Sequence, residues 1–250
     1  MTDAGVVTLG DVIIIGGGCY GTFYTRQLES AREKGKARYR RLLVVDRNPE
    51  CQLGRELPPA TTRELVVEEW GEFLDRYLGS AEPVPGSVIV PSPLMPHLMY
   101  QWLLRQARRR WPSRTVETCP ITESPQTPYD STAPDLTRYV SFADWLCPTH
   151  CIEPALCPVI RGPRTWEMAD AMESLTRKLN RLHPTRGPVL FKCQHTVFGV
   201  GTFSVADVLG GDSIVEMAGI AGSDCNVLVG TISSCHGAAN LLHLGPTGNP

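Results

Sequence analysis

Three cysteines and a histidine fall within eleven residues, in the run Cys147-Pro-Thr-His150-Cys151-Ile-Glu-Pro-Ala-Leu-Cys157. Thiolates are soft ligands, and this spacing lets one ion or cluster gather them while closing only short loops. The interleaved prolines stiffen the segment. C-x3-C-x5-C is neither a ferredoxin loop nor the paired C-x2-C knuckle of common structural zinc sites, so it points to a metal centre and leaves iron–sulfur and zinc both open. Two further groups are placed to complete such a centre. Cys193-Gln-His195 follows the apolar run Val189-Leu190-Phe191, and Cys235-His236 follows the apolar stretch 227–231. Strand ends hold side chains in fixed positions. The expected ligands are therefore Cys147, Cys151 and Cys157, with Cys193 or Cys235 as the fourth and His150, His195 and His236 as nitrogen alternatives. The competing readings are redox-active thiols, or small buried thiols with ordinary surface histidines.

A second stretch carries different chemistry. Asp11-Val-Ile-Ile-Ile reads as a buried strand and runs into Gly16-Gly17-Gly18-Cys19-Tyr20-Gly21, where an amphipathic segment begins. Strand, glycine turn and helix together bring backbone N–H groups and the positive end of a helix dipole to a phosphate. Gly16 would allow the tight turn, Gly18 the close approach of a pyrophosphate, and Gly21 the contact of helix with strand. Leu42-Leu43-Val44-Val45 is a second buried strand, ending at Asp46, whose carboxylate can accept from the ribose hydroxyls. The expected cofactor contacts are Gly16, Gly17, Gly18, Cys19, Tyr20, Gly21, Asp46 and Arg47. Asp46 would repel a 2′-phosphate and so favours NAD over NADP, with Arg47 pulling the other way; FAD ranks behind both. In the competing reading the turn holds no ligand and Asp46 caps it.

Residues 11–50 resemble the opening unit of Rossmann-type NAD(P)- or FAD-binding domains. The stretch Val-Val-Asp46-Arg47-Asn-Pro-Glu is similar to the matching place in NAD-binding regulators of potassium transport. The short Gly16-Gly17-Gly18 opening is similar to that of precorrin dehydrogenases of sirohaem synthesis. These resemblances imply a doubly wound fold and a bound dinucleotide, and they cover about the first fifth of the chain.

Periodicity supplies the elements that would position both stretches. Strands are expected at 65–67, 88–90, 139–142, 189–191 and 227–229. Helices are expected at 70–78, from His97 onward with Leu98, Met99, Trp102, Leu103 and Ala107 on one face, and from Trp166 to a stop at His183-Pro184. Ser92 and His97 would then lie at the carboxyl edge of the sheet, where a nicotinamide and its substrate sit, and are the candidate catalytic residues. The expected fold class is α/β, a Rossmann-like doubly wound and mainly parallel sheet, with the cysteine-rich second half extending or capping it. The expected organisation is a dinucleotide-binding domain at 1–118, a Pro/Ser/Thr-rich linker or surface loop at 119–137, and a cysteine/histidine-rich α/β half at 138–250.

With 42% apolar residues, 20% charged residues and a net charge of −2, the composition is that of an ordinary globular chain. Neither half carries the basic excess of a nucleic-acid binder. The chain lacks an apolar run of membrane-spanning length and a secretory signal pattern. A cytoplasmic location with reduced thiols is therefore expected for its nine cysteines. Together these features lead to an NAD(P)-dependent oxidoreductase with a cysteine-ligated iron–sulfur or zinc site, acting on a small molecule or a redox partner. A homodimer is left open. The alternative is a non-catalytic module that senses nucleotide or handles metal.

Overall fold

The computed structural model describes residues 5–80, 84–92, 95, 97–148 and 151–247. The first half of the chain forms β1 (Val7–Ile15), α1 (Cys19–Glu33), β2 (Ala37–Asp46), α2 (Gln52–Glu56), β3 (Arg63–Val67), α3 (Trp70–Leu78), β4 (Val88–Val90), α4 (Leu98–Arg110) and β5 (Val116–Cys119). There follow β6 (Tyr129–Thr132), β7 (Arg138–Ser141), β8 (Leu156–Cys157), β9 (Gly162–Pro163), α5 (Met168–Leu182), β10 (Thr185–Lys192), β11 (Gln194–Val197), β12 (Val200–Ser204), α6 (Val205–Ile220), β13 (Cys225–Ile232) and β14 (His236–Leu244). They divide into two compact units: residues 1–96 with 194–206, and residues 97–193 with 207–250.

Unit 1 is built on one six-stranded sheet in the order β11-β12-β4-β1-β2-β3. Strands β4, β1, β2 and β3 pair in parallel, and β12 joins β4 antiparallel, followed by β11. The apolar runs of β1 and β2 are buried on both faces, with Val12, Leu42, Val44 and Val45 fully inaccessible. In α1 the buried face is Gly21, Thr22, Thr25, Leu28 and Ala31, while Tyr20 stands 44% exposed. Small residues face the sheet because the helix lies so close to it. A Cβ on Gly21 would fall within 1.8 Å of the Gly16 carbonyl oxygen.

Asp11 is the other fixed point of unit 1. Its side chain is wholly inaccessible and accepts from Arg40 at 2.7 Å, Arg41 at 3.0 Å and the Tyr77 hydroxyl at 3.1 Å. Burial pushes its carboxyl upward, but the hydrogen bonds of Arg40 and Arg41 outweigh that and bring it down to about 2.

Unit 2 holds a second six-stranded sheet with the path β10-β13-β14-β7-β6, in which β5 also pairs with β14. Strand β14 shares its outer edge between two partners: His236 to Ala239 face β7, and Leu241 to Leu244 face β5. Met168, Met172, Leu175 and Leu179 of α5 pack with Val140, Leu228, Ile232 and Leu241 to form its core. The Pro/Ser/Thr-rich stretch 119–137 lies wholly inside this unit. Arg138 pins it through Asp130 at 2.6 Å and the carbonyls of Ile121 and Glu123.

These two sheets correct the expected fold class. The chain is mixed α/β with several sheets and a majority of antiparallel or mixed pairings, not one mainly parallel doubly wound sheet. Connection length is the physical reason. Parallel neighbours need a crossover of a dozen or more residues, whereas β13 and β14 are joined by three residues and must run antiparallel. Phe198 and Gly199, with φ of 43° and 74°, close β11 onto β12 in a two-residue hairpin whose turn has positive φ at both centres. The first unit ends at residue 96 and regains 194–206, in contrast with the expected boundary at 118. Helix α6 has no counterpart among the expected elements. Gly211 lets it approach Val189 and Phe191, and Gly219 lets it lie against the Trp111 indole.

Candidate functional site

The segment between β7 and α5 carries the cysteine run, and the three-residue turn between β13 and β14 carries Cys235. Hydrogen bonds clamp the two together. Phe142 N–H donates to the Cys235 carbonyl at 2.9 Å, and Met168 N–H donates to the Ser234 carbonyl at 3.0 Å. Glu153, whose side chain is 8% exposed, accepts from Ser233 Oγ at 2.6 Å and from Ser234 N–H at 2.7 Å. Arg164 in turn donates to the Glu153 carbonyl and pairs with Glu167 at 2.9 Å. The Cys235 turn is thus fixed by groups that flank or belong to the cysteine run itself.

The result is one pocket lined by Cys147, Cys151, Cys157 and Cys235 together with Glu153 and Trp166. Cys147 interacts electrostatically with each of the other three thiols. Two N–H groups already donate to sulfur: Glu153 N–H to Cys151 Sγ at 3.4 Å, and Trp166 Nε1–H to Cys235 Sγ at 3.3 Å. Trp145 also lines the pocket, with its buried Nε1–H directed at the Cys147 thiol, whose upward shift it opposes. Trp166 stacks on Phe142 and meets Trp145 edge-on, at centroid distances of 6.0 and 6.1 Å. Burial pushes the Cys147 thiol up, and Cys151 and Cys157 push it further. Burial likewise lifts Cys235 to about 11 against the opposing Trp166 hydrogen bond. Among the described residues, no three of the pocket's Cys, His, Asp or Glu groups bring their ligand atoms within 4.8 Å of one another. A single tetrahedral ion with bonds of 2.3 Å would hold its sulfurs about 3.8 Å apart. The thiols as placed are spread more widely than that.

Of the two candidates for the fourth thiol, Cys235 lines the pocket and Cys193 does not. Cys193 is partly exposed as a residue, and desolvation of its thiol drives it up to about 12. His195 belongs to unit 1, where it pairs with Gly201 across the β11–β12 hairpin. His236 does line the pocket; its Nδ1 meets Ser141 Oγ at 3.0 Å and its Nε2 lies 3.6 Å from Glu153. His150 lies outside the described residues.

In the glycine turn of unit 1, Gly16 adopts φ of 91° and Gly18 is the N-cap of α1. Gly17 is enclosed: a Cβ there would meet Cys51 Sγ at 2.5 Å, its N–H donates to Asp46 Oδ2 at 2.7 Å, and its carbonyl accepts from Leu53 N–H at 2.9 Å. A Cβ on Gly18 would meet nothing within 4 Å. Asp46 therefore spends one lone pair of each oxygen on backbone, Oδ2 on Gly17 and Oδ1 on Asn48 at 2.9 Å. Cys19 and Tyr20 are exposed beside the turn, and Arg47 is exposed with Glu69 at 3.5 Å.

His97 lies at the start of α4, buried in unit 2, with Nδ1 2.9 Å from Thr231 Oγ1 and Nε2 without a partner. Burial pushes it down to about 3, so its imidazole is neutral near pH 7 and out of reach of solvent. Ser92 belongs to unit 1, and its carbonyl accepts from Met95 N–H at 3.0 Å.

Several side chains that shape these sites were not singled out in the sequence. Glu153 and Trp166 could have been weighed from their place within or just after the cysteine run. His183, Asp224 and His243 converge in unit 2 with no spacing signal at all.

Residues 99–245 match the family AF_1314_C, described as "Uncharacterized protein, C-terminal domain". The matched region begins and ends within unit 2, apart from the stretch that this unit gives up to unit 1. No curated protein and no solved structure matches the chain.

Proposed function

We propose that this chain, which belongs to the AF_1314_C family, is a redox protein whose second unit holds an iron–sulfur cluster on Cys147, Cys151, Cys157 and Cys235. The observation that carries the reading is the convergence of four thiols from two separate segments on one pocket. Four thiolates are the usual complement of such clusters, and several iron atoms spread their ligands more widely than one ion does. That favours a cluster over zinc. When bound, the cluster would accept and release single electrons.

The chain's own groups do the rest. Glu153 N–H and Trp166 Nε1–H donate to two of the sulfurs, and such bonds stabilise the negative charge of a reduced centre. Trp145, Trp166 and Phe142 cover the pocket with aromatic surface. Glu153 fixes the turn that presents Cys235.

In the same reading unit 1 binds a dinucleotide, NAD in preference to NADP, that exchanges hydride with a small substrate. Support comes from the open space at Gly18 ahead of the exposed first residues of α1. Each Asp46 oxygen keeps a lone pair for a ribose hydroxyl beside its backbone bond. Two measurements test the proposal. Protein purified without oxygen should contain iron and acid-labile sulfide and show thiolate-to-iron absorption; absence of both after reconstitution would rule the cluster out. Calorimetric titration with NAD(H), NADP(H) and FAD should show NAD(H) binding most tightly, and silence with all three would remove the nucleotide.

A further inference from the structure

Unit 2 contains a second convergence of ligand atoms, built from elements the cysteine pocket does not use. His183 immediately follows α5 as its C-cap, Asp224 immediately precedes β13, and His243 lies in β14. Sheet register explains their meeting. Thr185 pairs with Asn226 between β10 and β13, which places His183 and Asp224, each two residues earlier, side by side. Asn226 pairs in turn with His243 across β13 and β14. One ligand atom from each residue falls within 4.8 Å of the others, and both histidine Nε2 atoms lie 3.6 Å from Asp224 Oδ1.

The hydrogen bonding around this group leaves lone pairs facing one another. His243 Nδ1 lies 3.0 Å from Asn226 Oδ1, an atom that can only accept, so Nδ1 carries the proton and Nε2 presents its lone pair toward Asp224. His183 Nε2 is inaccessible and has no hydrogen-bond partner. A separation of 3.6 Å is too long for a hydrogen bond to the carboxylate. It is close to the spacing of about 3.3 Å that nitrogen and oxygen ligands adopt around a tetrahedral zinc ion. Asn226 holds His243 as a carbonyl or carboxylate commonly orients a metal-bound histidine. The same register adds negative charge, since Glu117 of β5 pairs with His243 and directly opposite residues share a face.

We infer that His183, Asp224 and His243 form a three-ligand site for a divalent ion of the zinc class, with its remaining position open to solvent on the side of exposed Asp224. It stands independently of the cysteine-ligated centre. Two imidazoles and one carboxylate suit zinc, cobalt or nickel and lack the thiolate that would draw iron into a cluster.

The test uses the full chain, with its cysteine centre reconstituted, titrated with Co²⁺ alone. The expected result is one further equivalent of cobalt whose visible bands lack sulfur-to-cobalt charge transfer. His243→Ala and Asp224→Asn should each weaken binding at least tenfold, and His195→Ala, in the other unit, should leave it unchanged. Asp224 is half-exposed, so its asparagine variant should fold even where a histidine variant does not. No cobalt beyond any that the pocket thiols take up, bands that His243→Ala leaves unchanged, or equal affinity in Asp224→Asn and wild type would overturn the assignment.

Discussion

In the glycine turn of unit 1 the polar atoms are turned inward, whereas the thiols in unit 2 share a common space. Gly17 gives both its N–H and its carbonyl to the fold, and Asp46 is half consumed in holding it. Around the cysteines, the clamping bonds go to Ser233, Ser234 and the backbone of the turn, leaving four sulfurs around one pocket. Both regions display residues that could do chemistry. What separates them is how many of the relevant atoms the fold has already engaged. That difference makes the pocket the stronger functional candidate and reduces the turn to what Gly18 and the start of α1 still offer.

The greatest change should come at the fourth thiol. Cys235→Ser should abolish iron binding almost completely, while Cys193→Ser should leave the iron content unchanged, because only the first lines the pocket. Metal analysis of the two variants decides it. Equal loss in both would mean that the pocket is not what gathers the metal.

Next in size is the ion cluster around buried Asp11 in unit 1. Asp11→Asn removes the partner of Arg40 and Arg41 and should cost roughly 2–3 kcal/mol, since both guanidinium groups remain half in water. The folded carboxyl titrates at about 2 and the unfolded one near 3.8. The contribution is therefore complete above pH 3.8 and is lost as the pH falls through 2, an acid-linked loss of about 2 kcal/mol. Denaturant unfolding of the two proteins between pH 7 and pH 2 measures both quantities.

The inward and outward glycines can be separated directly. Gly17→Ala drives a methyl onto Cys51 and should cost about 1–3 kcal/mol, with Cys51→Ala restoring part of the loss. At Gly18 a Cβ would meet nothing within 4 Å, so Gly18→Val should reduce dinucleotide affinity with little change in melting temperature. Were Gly18→Val to destabilise the fold as much as Gly17→Ala, the distinction between the two positions would fail.

The last effect concerns His97 and is absent at neutral pH. Its folded pKa of about 3 lies below the ordinary 6.5, so the unfolded chain takes up a proton that the native one refuses. Stability should thus be unaffected above pH 6.5 and should decline as the pH falls from there toward 3. His97→Gln should flatten that decline in a chemical-denaturation series.

Much of this molecule was legible from local pattern. The strands at 65–67 and 88–90 and the helix at 70–78 fall where the apolar periodicity puts them. The cysteine trio was visible because its members are close in sequence. What periodicity could not reveal was pairing partners. The short connections that force antiparallel neighbours, and the return of 194–206 to unit 1, depend on contacts between distant segments. The same limit explains why Cys193 and Cys235 looked equivalent. Each follows a strand, and only the clamp of Glu153 and Phe142 on the β13–β14 turn brings one of them to the trio. His97 looked like a helix-start residue in a cleft and proves to be buried, because the Thr231 hydroxyl accommodates its ring inside unit 2. In α6, Gly210 and Gly211 disguised a helix whose glycines serve close packing at one position and face open space at the other.

X-ray absorption at the iron and zinc edges of protein purified without oxygen tests the central claim most directly. The expected result is iron with a sulfur-only coordination shell and a second shell of iron, both lost in Cys235→Ser. A lone zinc ion on the thiolates, or iron whose coordination survives that substitution, would contradict it.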